Sequence, residues 1–168
     1  MATTYEKIQS TTLSTATANI TFTSIPATYT DLRISFYTAP NLTTSANVWI
    51  RFNGSTSGYS STRLAGSGAF AQTNALTSQT KIMIGNSALS RTTSPSFYGV
   101  DIFSCAGSTY KTLLSDSNND NNGSGSVERV VGLWSDTSAI TSITLNLEGG
   151  AIDLEPGTTA TLYGILKA

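Results

Sequence analysis

Apolar and polar residues alternate one by one along most of this chain, and that period of two limits what the chain can fold into. Successive side chains of a β-strand point to opposite faces of a sheet, so strict alternation predicts strands with one buried and one wet face. The pattern recurs in four segments, residues 20–23, 32–36, 48–52 and 143–147. No long segment has the apolar spacing of an amphipathic helix. The sequence therefore predicts an all-β protein.

Turn-forming residues separate the alternating segments at short intervals. Between these turns the pattern predicts about nine or ten strands. Longer, uneven connections are expected around 54–79 and 85–96, and they favour an antiparallel two-sheet β-sandwich over a simple meander. A length of 168 residues suits one domain, and neither a repeat nor a linker divides the chain. We expect a single β-sandwich domain over residues 1–168.

The residues available for catalysis are few. The chain contains no histidine, a single cysteine and only 11% charged residues. Histidine-dependent catalytic triads and histidine-ligated metal sites are therefore excluded. Cys105 ends the apolar run 97–105, and we expect it to be a buried, inert thiol. The sequence predicts a protein that is not an enzyme and that carries no cofactor.

The charge pattern also limits the partners. The nine Lys and Arg residues are scattered singly and the net charge is −1, so the sequence predicts no binding to nucleic acid or to an anionic membrane. The N-terminal residues lack the basic and apolar regions of a signal peptide. No run of 18 apolar residues is present, so we expect no membrane-spanning helix.

Residues 116–126 form a low-complexity segment rich in Asn, Asp, Ser and Gly. The first half of an EF-hand calcium loop is repeated there by Asn118, Asp120, Asn122 and Gly123. The twelfth position, however, is Arg129 instead of Glu, and the flanking segments are predicted strands instead of helices. We interpret the segment as an exposed hairpin loop, with calcium binding as the alternative.

Several later strands are apolar on both faces. In residues 127–134 one face carries Val127, Val131 and Leu133, and the other carries Val130 and Trp134. A sandwich strand normally buries one face and exposes the other to water. The second apolar face of these strands must therefore be covered, either by a long loop or by a neighbouring subunit. We expect a homo-oligomer, most simply a trimer. The candidate interface residues are Trp134, Val130, Phe97, Phe103 and Tyr163.

Two other aromatic residues are candidates for contact with a receptor. Trp49 lies on the polar face of its strand, between Asn47 and Arg51. An aromatic ring in such a position can stack against a sugar, although packing in a core is the commoner use. Tyr59 lies in the connection that follows the strand of Trp49. Both residues, together with the Asn-rich loop at 116–126, are candidate glycan contacts.

Short motifs in a fixed order resemble a family of small virion proteins of tailed bacteriophages, notably those of cyanobacteria and other aquatic hosts. The first motif is the run 22–34, which reads FTSIPATYTDLRI. Further similarities follow at 51–54, 110–112, 120–125, 132–134, 140–145 and 157–165, so the resemblance spans nearly the whole chain. The segment 148–157 departs from the family pattern by being more acidic and apolar.

The resemblance implies a jelly-roll-like β-sandwich on the virion surface, without enzymatic activity and often trimeric. Its members are capsid decoration (cement) subunits or modules of tail fibres. This chain has no coiled coil, collagen-like repeat or separate anchor module, which favours a decoration protein bound to the major capsid protein or other virion proteins. The alternatives are a fibre module that binds host glycan and an enzyme acting on surface polysaccharide through paired carboxylates.

Overall fold

The chain folds into two antiparallel β-sheets packed face to face. A computed structural model describes residues 5–39, 46–86, 94–120, 125–148 and 152–166. Within these residues one sheet has eight strands and the other has four. We refer to them as the large sheet and the small sheet. The predicted all-β, two-sheet antiparallel sandwich is therefore confirmed.

Twelve strands are present in the described part of the chain, against the nine or ten predicted from the sequence. In chain order they are β1 (Tyr5–Thr12), β2 (Asn19–Phe22), β3 (Asp31–Thr38), β4 (Asn47–Phe52), β5 (Tyr59–Gly66), β6 (Ala71–Gln79), β7 (Ile82–Asn86), β8 (Ser96–Phe103), β9 (Lys111–Asn119), β10 (Ser126–Trp134), β11 (Ile143–Glu148) and β12 (Thr159–Ile165).

Eight of these strands have the order of a jelly roll. The run β1-β12-β3-β8 lies in the large sheet, and β2-β11-β4-β7 makes up the small sheet. The chain crosses between the sheets at each step from β1 to β4, and again from β7 onward through β8 and β11 to β12. The first strand pairs with the last. Two intertwined Greek keys produce this order.

Two hairpins are inserted into this frame and extend the large sheet on one side. The β9–β10 hairpin pairs with β8, and the β5–β6 hairpin continues from β10. The expected long connection around 54–79 is therefore wrong, since it contains two paired strands. The β9–β10 pairing confirms a hairpin at 116–126, but the strands reach Asn119 and Ser126, so the loop is shorter than predicted.

The core lies between the two sheets and contains the inward side chains of both. Leu32, Ile34 and Phe36 of β3 are fully buried, as their alternation predicts. At one end of the core, the rings of Tyr59 and Trp134 stack 6.0 Å apart, and Trp134 also lies 5.6 Å from Phe52 of the small sheet. This aromatic contact joins β5 and β10 of one sheet to β4 of the other.

Gly132 allows β7 to approach the large sheet closely. A Cβ at this position would lie 2.9 Å from Ile82 Cγ2 and 3.0 Å from Leu113 Cγ, which is closer than side chains normally pack. The glycine therefore sets the spacing between the sheets beneath β10. No helix in the described residues is long and apolar enough to cross a membrane.

Candidate interaction surface

The outer face of the large sheet is the side that points away from the small sheet, and it carries a set of exposed apolar side chains. Their exposed fractions range from 41% to 65%. They belong to the edge strand β1, to β8 in the middle of the sheet and to β10 and β5 toward the other edge, namely Tyr5, Leu64, Phe97, Phe103, Val127 and Val131. Scattered exposed apolar residues are normal, but several on one sheet face suit contact with another protein.

The apolar residues at the β5–β10 side line a shallow hollow. Val127 of β10 lies opposite Gly66 of β5, and Leu64 lies opposite Arg129. With Ala71 and neighbouring residues they line a depression of about 390 Å³. Because Gly66 and Ala71 have little or no side chain, the surface dips between the larger residues. The hollow gives a partner's side chain a place to insert.

An ion pair lies within this apolar area. Arg129 and Asp116 are directly opposed on β10 and β9, with Nε–Oδ1 2.6 Å and Nη2–Oδ2 3.1 Å. Both side chains are more than half exposed, so the pair contributes little to folding stability. It does neutralise both charges locally. The outer face at β9 and β10 is therefore uncharged overall.

A second apolar and aromatic group lies toward β1. Tyr5 and Tyr163 are in contact, with ring centroids 6.0 Å apart. Tyr163 is also opposed to Arg33, which binds both carboxylate oxygens of Asp101 at 2.8 and 2.9 Å. The outer face thus carries two Arg–Asp pairs with apolar side chains around them. Arg129 binds through Nε and Nη2, whereas Arg33 binds both oxygens through Nη1.

Three of the candidate interface residues lie on the outer face. Phe97 and Phe103 of β8 are 41% and 42% exposed, and Tyr163, two strands away on β12, is half-buried. Their position agrees with an interface, and that role stays a prediction. The other two candidates lie elsewhere. Val130 and Trp134 point into the core and are buried by the protein's own small sheet, so their assignment to an interface is wrong.

The assignment of Tyr59 to a receptor contact is also wrong. Its side chain is 1% exposed and packs between Phe52 and Trp134 in the core. The phenol both accepts a hydrogen bond from Phe52 N (3.0 Å) and donates one to Phe52 O (3.1 Å). Burial raises the pKa of this phenol. Tyr59 is a structural residue that connects the two sheets.

Trp49 does lie on the outward side of the small sheet, as its polar neighbours predicted, but it is covered. Only 8% of the residue is exposed, and Lys81 Nζ lies over the ring, 5.0 Å from its centroid. Lys81 is held there by Glu148 at 2.9 Å. A sugar could stack on Trp49 only if Lys81 moved away. The indole Nε1 has no hydrogen-bond partner among the described residues.

Sequence reasoning missed the most exposed apolar residues of β5 and β10. Val127 and Val131, at 65% and 55%, were recognised as one face of their strand but were not chosen as the interface face. Leu64 was missed altogether because its strand, β5, was expected to be a connection. The available signal was Arg129 between the two valines, since a lone charge on an apolar strand face is typical of an exposed surface.

Several potentially reactive side chains in the described residues are engaged in structural contacts. The Cys105 thiol donates a hydrogen bond to Tyr29 O at 3.2 Å, and burial raises its pKa to about 11. Lys111 is buried, and its ammonium donates to three backbone carbonyls. The ion-paired carboxylates include Asp101, Asp116 and Glu128.

The candidate calcium loop falls only partly within the described residues, since residues 121–124 lie outside them. Asn118 belongs to β9, and the neighbouring Asn119 side chain accepts a hydrogen bond from Ser126 N at 3.0 Å. No group of three potential metal-ligating His, Cys, Asp or Glu side chains is found in the part of the chain that is described. Calcium binding at 116–126 stays an untested alternative.

Comparisons with known proteins add little to this picture. No protein-family model matches the chain, and no curated protein matches it. Among solved structures, the chain is similar to a protein of unknown function from Shewanella oneidensis MR-1. The two share 12% sequence identity with a TM-score of 0.23, over 98% of this chain and 77% of the other.

Proposed function

We propose that this protein is a non-enzymatic structural subunit of a bacteriophage virion, a capsid decoration protein that binds its neighbours through the outer face of the large sheet. The observation that carries the proposal is the set of exposed apolar side chains on that face, centred on Val127, Val131 and Leu64. A protein that stays free in solution gains nothing from such a face, whereas a subunit of an assembly buries it.

The charges on this face support contact with protein instead of nucleic acid or membrane. Arg129 is neutralised by Asp116, and Arg33 by Asp101, so the face presents no excess of positive charge. Each pair keeps hydrogen-bonding capacity that a partner's polar groups can use. Apolar residues around a few paired charges are typical of a stable protein–protein interface.

The virion context of the proposal comes from the family resemblance of the sequence, with the major capsid protein or other virion proteins as the partners. Self-association, most simply as a trimer, is part of the same proposal. The jelly-roll-like order of the sandwich agrees with this family, although many unrelated proteins share that architecture.

The alternative of a glycan-binding fibre module has less support. It depended on Trp49, Tyr59 and the Asn-rich loop at 116–126. Tyr59 is buried in the core, and Lys81 covers Trp49. Saturable binding on a glycan array, abolished by Trp49→Ala, would favour the fibre module over the decoration protein.

The decoration proposal is tested by copy number and by a matched pair of variants. Quantitative electrophoresis of purified virions should give hundreds of copies per particle, whereas a few dozen copies or fewer would indicate a tail appendage.

Val131→Glu places a carboxylate on the outer face and should remove the protein from particles. Thr144→Glu places the same group on the outward side of the small sheet, in β11, and should leave incorporation unchanged. Equal incorporation of both variants would contradict the proposed binding face.

A further inference from the structure

Strand β6 forms one edge of the large sheet and is exposed on both faces. Its pairing with β5 runs from Ala71 to Gln79. All residues from 71 to 75 are exposed, and the rest of the strand is at most half-buried. Among the described residues, the backbone of β6 pairs with β5 and with no other strand. Along the regular part of the strand, Ala71 to Leu76, the free edge therefore presents backbone N–H and C=O groups that pair with no other described strand.

This edge has little of the protection that normally prevents two sheets from joining. Natural edge strands are protected by charged side chains, proline or bulges. The opposite edge of the same sheet, β1, carries Glu6 and Lys7 and has a bulge between Lys7 and Gln9. The sequence of β6, AQTNALTSQ, contains neither a charge nor a proline. Its bulge lies near the end of the strand, between Leu76 and Gln79, where Ser78 has a φ of 55°. The pairing with β5 is regular from Ala71 to Leu76.

We propose that β6 pairs with β6 of a second copy of this chain, antiparallel and across a two-fold axis, so that the two large sheets join into one. Two identical strands can satisfy each other's backbone groups in this arrangement, because a two-fold axis perpendicular to the sheet makes them antiparallel. A two-fold axis also brings each residue near the axis close to its own copy. A charge there would meet a like charge, and β6 is free of charges.

The side chains of β6 also suit edge-to-edge pairing with another strand better than packing against a layer placed on either face. Thr73, Asn74 and Gln72 can form cross-strand hydrogen bonds with polar residues of the second copy. The side chains of Ala71 and Ala75 are small, so they project little from the outer face at this edge. The joined sheet would carry the apolar hollow beside Leu64 twice, once on each side of the axis.

This pairing is independent of contacts through the outer face, and it deepens the proposed function by adding a second contact between subunits. Alone it gives a dimer, and combined with a trimeric contact it gives a hexamer. In either case the purified assembly contains an even number of copies of the chain. Loss of the β6 contact should therefore halve the mass of the purified assembly. If the protein proves not to be a decoration protein, that mass is unaffected, so the two proposals can fail separately.

A cysteine scan of β6 tests the arrangement directly. Four single variants place a thiol at successive positions of the regular part of the strand, Gln72→Cys, Thr73→Cys, Asn74→Cys and Ala75→Cys. A disulfide needs Cβ atoms about 3.5–4.5 Å apart, so only the positions nearest the axis should cross-link on mild oxidation. Ser10→Cys on β1 is the control and should stay uncross-linked. Equal cross-linking at all four positions, or none at any, would overturn the proposal.

A charge on the edge provides the second test. Thr73→Lys should halve the mass of the assembly measured by light scattering, because two copies of the lysine would repel each other near the axis. Asn74→Lys, on the opposite face of the strand, should have the same effect. Ser10→Lys should leave the mass unchanged. Loss of assembly with both the β6 and β1 variants would indicate head-to-tail pairing of β6 with β1, and an unchanged mass with the β6 variants would exclude the edge contact.

Discussion

Arg63 and Glu128 form a bidentate ion pair on the inner face of the large sheet, with Nη2–Oε1 2.5 Å and Nε–Oε2 2.9 Å. The two residues are diagonal neighbours across β5 and β10, because Arg63 is opposed to Val130 and Glu128 to Ala65. The Glu128 side chain is only 2% exposed and that of Arg63 is 14% exposed. A charge pair therefore occupies part of the surface that other strands fill with apolar side chains.

Removing one partner of this pair should destabilise the protein strongly. Glu128→Leu leaves the Arg63 guanidinium buried without its carboxylate, and we expect a loss of about 3–5 kcal/mol in the free energy of unfolding. The double variant Arg63→Met/Glu128→Leu should recover most of that loss, since apolar side chains of similar size can replace a buried pair. Urea denaturation measures all three proteins. A double variant as unstable as the single one would show that the pair itself stabilises the fold.

Trp134 connects the two sheets, and Trp134→Ala should cost about 3–5 kcal/mol because the cavity it leaves is large. Phe52 and Tyr59 would each lose a ring contact, so the melting temperature should fall as well. Val131→Ala is the control on the same strand. Val131 is more than half exposed, so this change should alter the free energy of unfolding by less than about 0.5 kcal/mol. Similar costs for both variants would contradict the assignment of faces along β10.

Gly132 should not tolerate even one extra carbon. The Cβ of Gly132→Ala would press against Ile82 and Leu113, and we expect a cost of about 1–3 kcal/mol from overpacking. Gly66→Ala in the neighbouring strand provides the control, because its Cβ would meet nothing within 4 Å. Thermal denaturation of the two variants should separate them. Equal melting temperatures would show that β7 can move away from the large sheet at little cost.

The Cys105 thiol should make stability depend on pH at the alkaline end. Burial, followed by the nearby Asp31 carboxylate, raises the pKa of this thiol from 9.0 to about 11. The folded state therefore holds the proton more tightly than the unfolded state. The resulting stabilisation is complete below about pH 9 and is lost as the pH rises toward 11.

The measurement compares the free energy of unfolding of the wild type and Cys105→Ala between pH 8 and pH 11. The wild type should lose stability more steeply, and the tyrosines, common to both proteins, should cancel in the difference. A thiol reagent at pH 8 should label the wild type only as fast as it unfolds. Rapid labelling of the folded protein would show that Cys105 is accessible.

The sequence predicted the strands that have one buried face, and the structure shows why others escaped it. In β3 the alternation of Leu32, Ile34 and Phe36 matches complete burial of all three. In β6 both faces are exposed, so selection for an apolar face is absent and no period of two remains. A strand that pairs with one neighbour and buries little of either face leaves little trace in its residue pattern.

The wrong choice of face along β10 has a different cause. Both faces are apolar, and alternation separates the two faces without saying which one is inside. The inner face includes Glu128 and Gly132, which weaken its apolar signal. Their presence is explained only by long-range contacts, with Arg63 in β5 and with Ile82 in β7. Such contacts join residues far apart in the chain, and a local pattern does not reveal them.

The pairing of β1 with β12 has a practical consequence for anything attached to this protein. Tyr5 lies opposite Ile165, so both ends of the described chain leave from the same side of the large sheet. That side is seven strand spacings from β6, or about 34 Å at about 4.8 Å per spacing. A fluorophore or affinity tag fused at either end would thus report on the molecule while leaving the β6 edge accessible. In a β6-paired dimer, two such labels would emerge at opposite extremes of the joined sheet, far enough apart to be resolved as a distance.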